Sequence, residues 1–148
     1  MMIELVLSCV EDIPYFVSME QKAGTMEYII PYSDEKHLSE MTKDDIVYLS
    51  ILEEQVLVGF IILFIDASRC VEFRRIVIGE SGRGRGVGQL AIQKMEVYCQ
   101  SKLRAHRIWL DVFDKNDRGQ YLYKKLGYRQ FDQQNIDGNL LLYFEKMI

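Results

Sequence analysis

The stretch "SGRGRGVGQL", Ser81 to Leu90, places glycine at 82, 84, 86 and 88, between a run of β-formers and a helical pattern. Glycine lets the main chain approach a ligand closely and take dihedrals closed to other residues. Several N–H groups can then converge on one anion, with the positive end of the following helix behind them. Arg83 and Arg85 add fork-shaped donors suited to phosphate oxygens. The run reads as a pyrophosphate cradle built from Arg83, Gly84, Arg85, Gly86, Val87 and Gly88. A loose loop with solvated arginines would leave the avoidance of bulky residues at four alternate positions unexplained.

Downstream, Val87, Leu90, Ala91, Met95 and Tyr98 share one helical face, which predicts a helix to about Lys102. "HRIWLDVF" reads as a strand. "NDRGQYLYKKLGY" carries a full helix signature, with capping types at Asn116 and Asp117, Lys124 and Lys125 in the last turn, and Gly127 after it. "YRQFD", the turn "QQNIDG" and "NLLLYFEKM" form a closing hairpin. Upstream, "IELVL" is a strand, "EDIPYFVSMEQKA" a helix with Pro14 in its first turn and Gly24 at its end, and "SDEKHLSEM" a shorter helix. "IVYLSIL" and "VLVGFIILFID" pair across "EEQ", and "CVEFRRIVI" is a fourth strand. The strand-helix-strand crossover implies a parallel pair, hence an α/β (α+β) fold with a mixed sheet and helices on both faces.

The chain of 148 residues is expected to form a single domain spanning 1–148. Its longest apolar run, Val56 to Ile65, is about half of what a membrane-spanning helix needs, and "MMIELVLSCV" lacks a basic leader and a cleavage site. No membrane association and a cytoplasmic location are expected. Three widely spaced cysteines and two histidines, with no C-x-x-C pair, point to no metal site and no disulfide framework. Residues 1–74 carry 14 acidic and 5 basic side chains and residues 75–148 carry 8 and 13, so the net charge of −4 divides into −9 and +5. The halves either face partners of opposite charge or attract one another in the fold.

A Walker loop is absent, since no G-x-x-x-x-G-K-[ST] occurs near Gly79 or Gly84. Gly86, Gly88 and Ala91 satisfy G-x-G-x-x-A with Asp111 twenty positions beyond. The eight positions from Ile78 to Gly86 are too many for the tight Rossmann turn, however, and Asp111 falls inside its strand. Arginine-glycine RNA-binding segments are long and disordered, unlike this short run leading into a helix, so no nucleic-acid partner is expected.

The sequence resembles the GNAT superfamily of acetyl-CoA-dependent N-acyltransferases. Arg83, Gly86 and Gly88 meet its [Q/R]-x-x-G-x-[G/A] signature, and "NDRGQYLYKKLGY" is similar to its N-x-R-A-x-x-L-Y-x-K-L-G-[FY] segment from Asn116 to Tyr128. The chain departs from the family pattern at Gly79-Glu80, where a His-Pro or similar pair is common, and at Gly119, where alanine is usual. The resemblance implies a mixed, mostly antiparallel sheet of about six or seven strands flanked by about four helices.

It further implies acetyl-CoA as co-substrate, with its pyrophosphate on the glycine loop and its pantetheine arm along the main chain of Ile76, Val77 and Ile78 and beside Asn116. Val77 N–H would be the oxyanion donor. Tyr123 matches the family's general acid, with packing beside Tyr121 as the other reading. Glu72 is the expected general base, on the same strand face as Arg74, Ile76 and Ile78; an ion pair with Arg74 or a cross-strand cation is the alternative, with a water chain or no dedicated base in its place, as in many members of the family. Glu27, Tyr28 and Tyr32 would receive a cationic acceptor, a small-molecule, peptide or protein amine. A homodimer is compatible with this reading. A non-catalytic acyl-CoA sensor on the same fold would keep the glycine loop without needing Glu72 or Tyr123.

Overall fold

A computed structural model describes residues 1–22 and 29–148. Seven strands form one sheet in the order β1-β2-β3-β4-β5-β7-β6: β1 (Ile3–Leu7), β2 (Ile46–Glu53), β3 (Val56–Ile65), β4 (Cys70–Ile78), β5 (Arg107–Phe113), β6 (Arg129–Ile136) and β7 (Asn139–Met147). All neighbours are antiparallel except β4 and β5. The helices are α1 (Ile13–Glu20), α2 (Asp34–Met41), α3 (Val87–Ser101) and α4 (Asp117–Lys125).

The element order read from the sequence holds, with adjustments at the ends. Val10–Asp12 is a separate 3-10 turn ahead of α1, where Pro14 takes an early helical position that needs no N–H. The closing turn is Asp137-Gly138 alone, both with positive φ, so β6 runs through "QQN" to Ile136. Gly24 lies outside the described residues.

The sheet is filled from both sides. The α3/α4 face buries Leu63, Val71, Phe73, Ile92, Met95, Ile108 and Leu110, and the α1/α2 face buries Phe16, Tyr48, Phe60, Ile62 and Val77. At roughly 1.5–3 kcal/mol for each large apolar side chain, this alternation fixes the register of the central strands.

One irregularity sets the course of β4 and the gap beside it. Ile62 of β3 pairs with Arg75 and Leu63 with Phe73, so Arg74 is an extra residue, a β-bulge. A bulge bends its strand and sharpens the twist. Immediately before it, β4 pairs with β5 only from Cys70–Arg107 to Glu72–Trp109. Beyond that point the two strands part, and the sheet has a gap through it.

Candidate active site

The gap is a cleft of about 810 Å³. Its walls are β4 from Phe73 to Ile78 and β5 from Asp111 to Phe113, with the glycine loop at one end and the start of α4 beside it. Among the described residues the β4 edge facing the cleft has no strand neighbour past Glu72, so that edge is open to a ligand that pairs as a strand does.

Main-chain direction decides which residues offer those groups, because successive residues in a strand turn their N–H and C=O to opposite sides. Gly79 N–H donates to Val58 O on β3 (2.7 Å), and a Cβ on Gly59 would collide with the Val77 carbonyl oxygen. The main chain of Val77 therefore faces β3, and its side chain is buried on the α1/α2 face. Ile78 O accepts from Arg83 Nε (3.0 Å), away from β3, so Ile76 and Ile78 turn their peptide groups to the cleft. The amide of Val77, expected to serve the oxyanion, therefore faces β3, and that of Ile76 faces the cleft.

At the loop, Gly84 (φ 78°) and Gly86 (φ 79°) adopt left-handed backbone, with open space where a Cβ would stand. Conformation rather than crowding requires glycine there. Leu90 N–H makes the first helical bond of α3, to Gly86 O (3.2 Å), and the N–H groups from Gly84 to Gln89 find no main-chain acceptor among the described residues. They form a nest at the N-terminus of a 15-residue helix, the arrangement that binds phosphate. The Arg85 guanidinium does not join it: its Nη2 donates to Glu53 Oε1 (2.6 Å) at the end of β2 and to Ser81 O (2.6 Å).

Asn116 caps α4, its Oδ1 accepting from Gly119 N–H (2.9 Å). A Cβ on Gly119 would stand 2.8 Å from Asn116 Nδ2. Glycine in place of alanine thus lets the asparagine fold down on the helix while it lines the cleft. Tyr123 projects from α4 into the same cleft, held edge-on by Phe73 (6.1 Å) and Tyr128 (6.0 Å). Burial first, and the charge of Asp111 second, push its phenol up to about 12, so it keeps its proton across the neutral range.

The bulge also changes the face on which Glu72 lies. Glu72 is opposite Phe64, and Arg75 and Val77 are opposite Ile62 and Phe60, all on the α1/α2 face. Ile76 and Ile78 lie with Phe73 on the other. The alternation expected to align Glu72 with Ile76 and Ile78 is broken by one residue. Arg74 Nη2 and Nε donate to Glu72 Oε1 (2.8 and 3.2 Å), so the ion-pair alternative describes this carboxylate.

The sequence reading missed Asp111 as a site residue. It lies on β5 between buried Leu110 and Val112 and points to the α1/α2 side of the gap. Among the described residues its carboxylate has no hydrogen bond or ion pair. Desolvation by the cleft walls and the neighbouring charge of Glu72 raise its pKa, with Arg74 opposing. An acid between core residues on a strand with a parallel neighbour was the readable signal.

Of the expected acceptor residues, Glu27 and Tyr28 lie outside the described residues. Tyr32 sits under the Arg75 guanidinium (4.0 Å), and its N–H donates to Glu20 Oε1 (3.2 Å). Glu20 is fully buried. It binds Arg75 and His37 Nε2 (2.6 Å), and His37 Nδ1 is hydrogen-bonded to the Tyr48 hydroxyl (2.8 Å). Arg75 Nη2 also donates to Ile30 O (3.0 Å). This network joins α1, α2, β2 and β4 and fixes residues 30–32 at the rim of the cleft. No group of three metal-ligating side chains is placed to hold an ion among the described residues. No helix there is long and apolar enough to cross a membrane.

The chain is similar across most of its length to solved spermidine N-acetyltransferases of Vibrio cholerae. One is a complex with CoA and spermine (TM-score 0.86, 19% identity, covering 98% of this chain and 95% of that one). Another is a dodecamer in an intermediate state (TM-score 0.81, 18% identity, 98% and 93%). A curated relative, the uncharacterized N-acetyltransferase YdgE of Bacillus subtilis (strain 168), is 43% identical over 49 residues; the match spans 33% of this chain and about a third of that protein (31%). The model of the acetyltransferase (GNAT) family matches residues 13–128, across the gap, the amide nest and α4. The chain belongs to this family of acyltransferases.

Proposed function

We propose that the protein transfers the acetyl group of acetyl-CoA to a primary amine by direct attack within a ternary complex. The observation that carries this reading is the gap between β4 and β5, with Tyr123 reaching it from the α3/α4 face and Asp111 from the other. A thioester lying along β4 would have a proton donor and a proton acceptor on opposite sides of its carbonyl.

The Gly84–Gln89 amides hold the pyrophosphate, the free edge at Ile76 and Ile78 pairs with the pantetheine arm, and Asn116 Nδ2 donates to it. Bound there, the co-substrate supplies an activated acetyl carbonyl. Ile76 N–H polarises the carbonyl oxygen. Asp111 takes a proton from the ammonium, whose ordinary pKa of about 10.4 keeps it charged at neutral pH. The freed nitrogen bonds to the carbonyl carbon as the carbon–sulfur bond breaks, and Tyr123 protonates the departing sulfur. Glu72 holds Arg74 beside Asp111 and sets the local charge. The three cysteines are free thiols, which suits the reducing cytoplasm.

Calorimetric titration with acetyl-CoA, alongside thiol release over a panel of amines, tests this directly. Micromolar binding with turnover that collapses in Tyr123→Phe is the expected result. Tight binding without turnover on any amine would instead favour an acyl-CoA sensor, and no binding would sink the phosphate cradle.

A further inference from the structure

Among the described residues the sheet has two open edges, and they are built differently. β6, at one end, is exposed along its whole length, carries Arg129 and Asp132 among glutamines, and breaks its register between Gln130 and Asp132. Charges and bulges of this kind keep an edge from pairing with another chain. β1, at the other end, lacks that protection. Its ladder to β2 runs without a break from Ile3–Glu53 to Leu7–Leu49, its one charged residue is Glu4, and it contains no lysine, proline or glycine. Met1, Met2, Val6, Leu7 and Val10, all in or beside this strand, are exposed.

Main-chain parity shows what the edge offers. Met2 O accepts from Glu54 N–H (3.0 Å) and Ser8 N–H donates to Tyr48 O (3.0 Å), so the even-numbered residues face β2. Ile3, Leu5 and Leu7 therefore turn their N–H and C=O groups outward, where no described strand meets them.

We propose that this edge pairs with the β1 edge of a second copy, antiparallel and about a two-fold axis at Leu5, joining the two sheets into one. In that register Leu5 stands opposite Leu5 of the other copy and Ile3 opposite Leu7, so all the outward residues exchange their bonds within the pair. Glu4 falls opposite Val6 rather than opposite Glu4, which spares the contact a directly facing like-charge pair. The ends match in charge as well. The glycine loop lies beside the start of β1, where Arg85 Nη1 reaches Met1 Sδ (3.9 Å), and the acidic turn Val10–Asp12 follows its end. Antiparallel pairing brings exposed Glu11 of one copy toward the Arg85 loop of the other. An apolar centre with a charged rim is the usual anatomy of an interface between chains. A strand from another protein would find the same donors and acceptors; the fit of β1 to itself, in register, apolar content and end charge, selects a second copy.

Sedimentation equilibrium of the full chain over about a hundredfold range of concentration, with residue-resolved amide exchange, tests this. The mass should rise from one copy to two, and the Ile3, Leu5 and Leu7 amides should slow about tenfold or more as it does. Leu7→Pro removes one outward N–H and leaves every bond to β2 in place, and Leu7→Lys puts a charge on the edge at an exposed position. Both should be folded monomers with fast exchange at Leu5; if Leu7→Pro does not fold, Leu7→Lys decides alone. Raised salt should weaken the dimer by screening its rim. A mass of one copy throughout, with the outward amides exchanging as exposed ones do, would overturn the proposal. So would a dimer that persists in the folded variants with the β1 amides unprotected, since the contact then lies elsewhere. Protection of those amides that ignores both concentration and substitution would also overturn it, because the edge would then be closed from within one chain.

Discussion

On the β1–β4 side of the gap, Glu20, His37, Tyr48 and Arg75 satisfy one another beneath two helices. On the β5–β7–β6 side, Asp111 has no partner among the described residues, on a face that no described helix covers. Both sets are titratable groups beside the gap, and they differ in closure: Glu20 and His37 are buried, whereas Asp111 is exposed. Buried charges that complete one another hold elements in place, because removing any member leaves a desolvated orphan. A carboxylate with a wall of protein on one side and nothing to bond stays reactive toward whatever enters. The fold thus uses one half of the sheet to fix the rim and the other to leave a carboxylate open.

The strongest test of that division is to remove the open group. Asp111→Asn should lower kcat by about 10²- to 10⁴-fold, as should Tyr123→Phe, with acetyl-CoA affinity nearly unchanged by calorimetry in both. The raised pKa of Asp111 sets the sign of two pH effects. The acid limb of kcat/KM should lie above the ordinary carboxylate range, and Asp111→Asn should abolish it. A carboxyl whose pKa is raised by folding also gives stability that is lost as pH rises through that folded value, so Asp111→Asn should raise the neutral-pH melting midpoint. A lower midpoint would mean that the carboxylate has a bonding role after all.

Removing a closed group should do the opposite. Glu20→Gln should cost about 3–5 kcal/mol in urea unfolding, because Arg75 would keep its buried charge without a carboxylate. A loss of activity with stability intact would break the comparison. A smaller effect is expected at the nest: Gly86→Ala should cost about 1–2 kcal/mol, since φ is positive there, and should weaken acetyl-CoA binding. Smallest of all, Glu72→Gln should reduce kcat less than about tenfold, as a group acting through Arg74 rather than on the substrate. A fall as deep as that of Asp111→Asn would return the base to β4.

Much of this was legible in the sequence. The glycine run and "NDRGQYLYKKLGY" carry local chemistry, an amide nest and a capped helix, which short-range physics determines. What escaped depends on pairing between distant strands. The parity that turns Ile76 rather than Val77 to the cleft is visible in the bond from Gly79 to Val58, which no single-strand pattern contains. The bulge did leave a trace, since in "VEFRRIVI" the alternation of Val71, Glu72, Phe73 and Arg74 is interrupted by a second arginine in succession. Arg85 looked like a phosphate ligand because its partner, Glu53, lies 32 positions away.

The inserted residue in β4 has a consequence for how this chain can evolve. Upstream and downstream of Arg74 the strand is in opposite phase: Val71 and Phe73 share a layer with Ile76 and Ile78, not with Arg75 and Val77. Deleting one residue there would restore strict alternation and drive the Arg75 guanidinium into the layer beneath α3, away from Glu20. Point changes along β4 can accumulate one by one, whereas a change of its length by one must rewrite both cores at once. In lineages of this fold, the length of β4 across the bulge should therefore be a frozen character even where its letters drift.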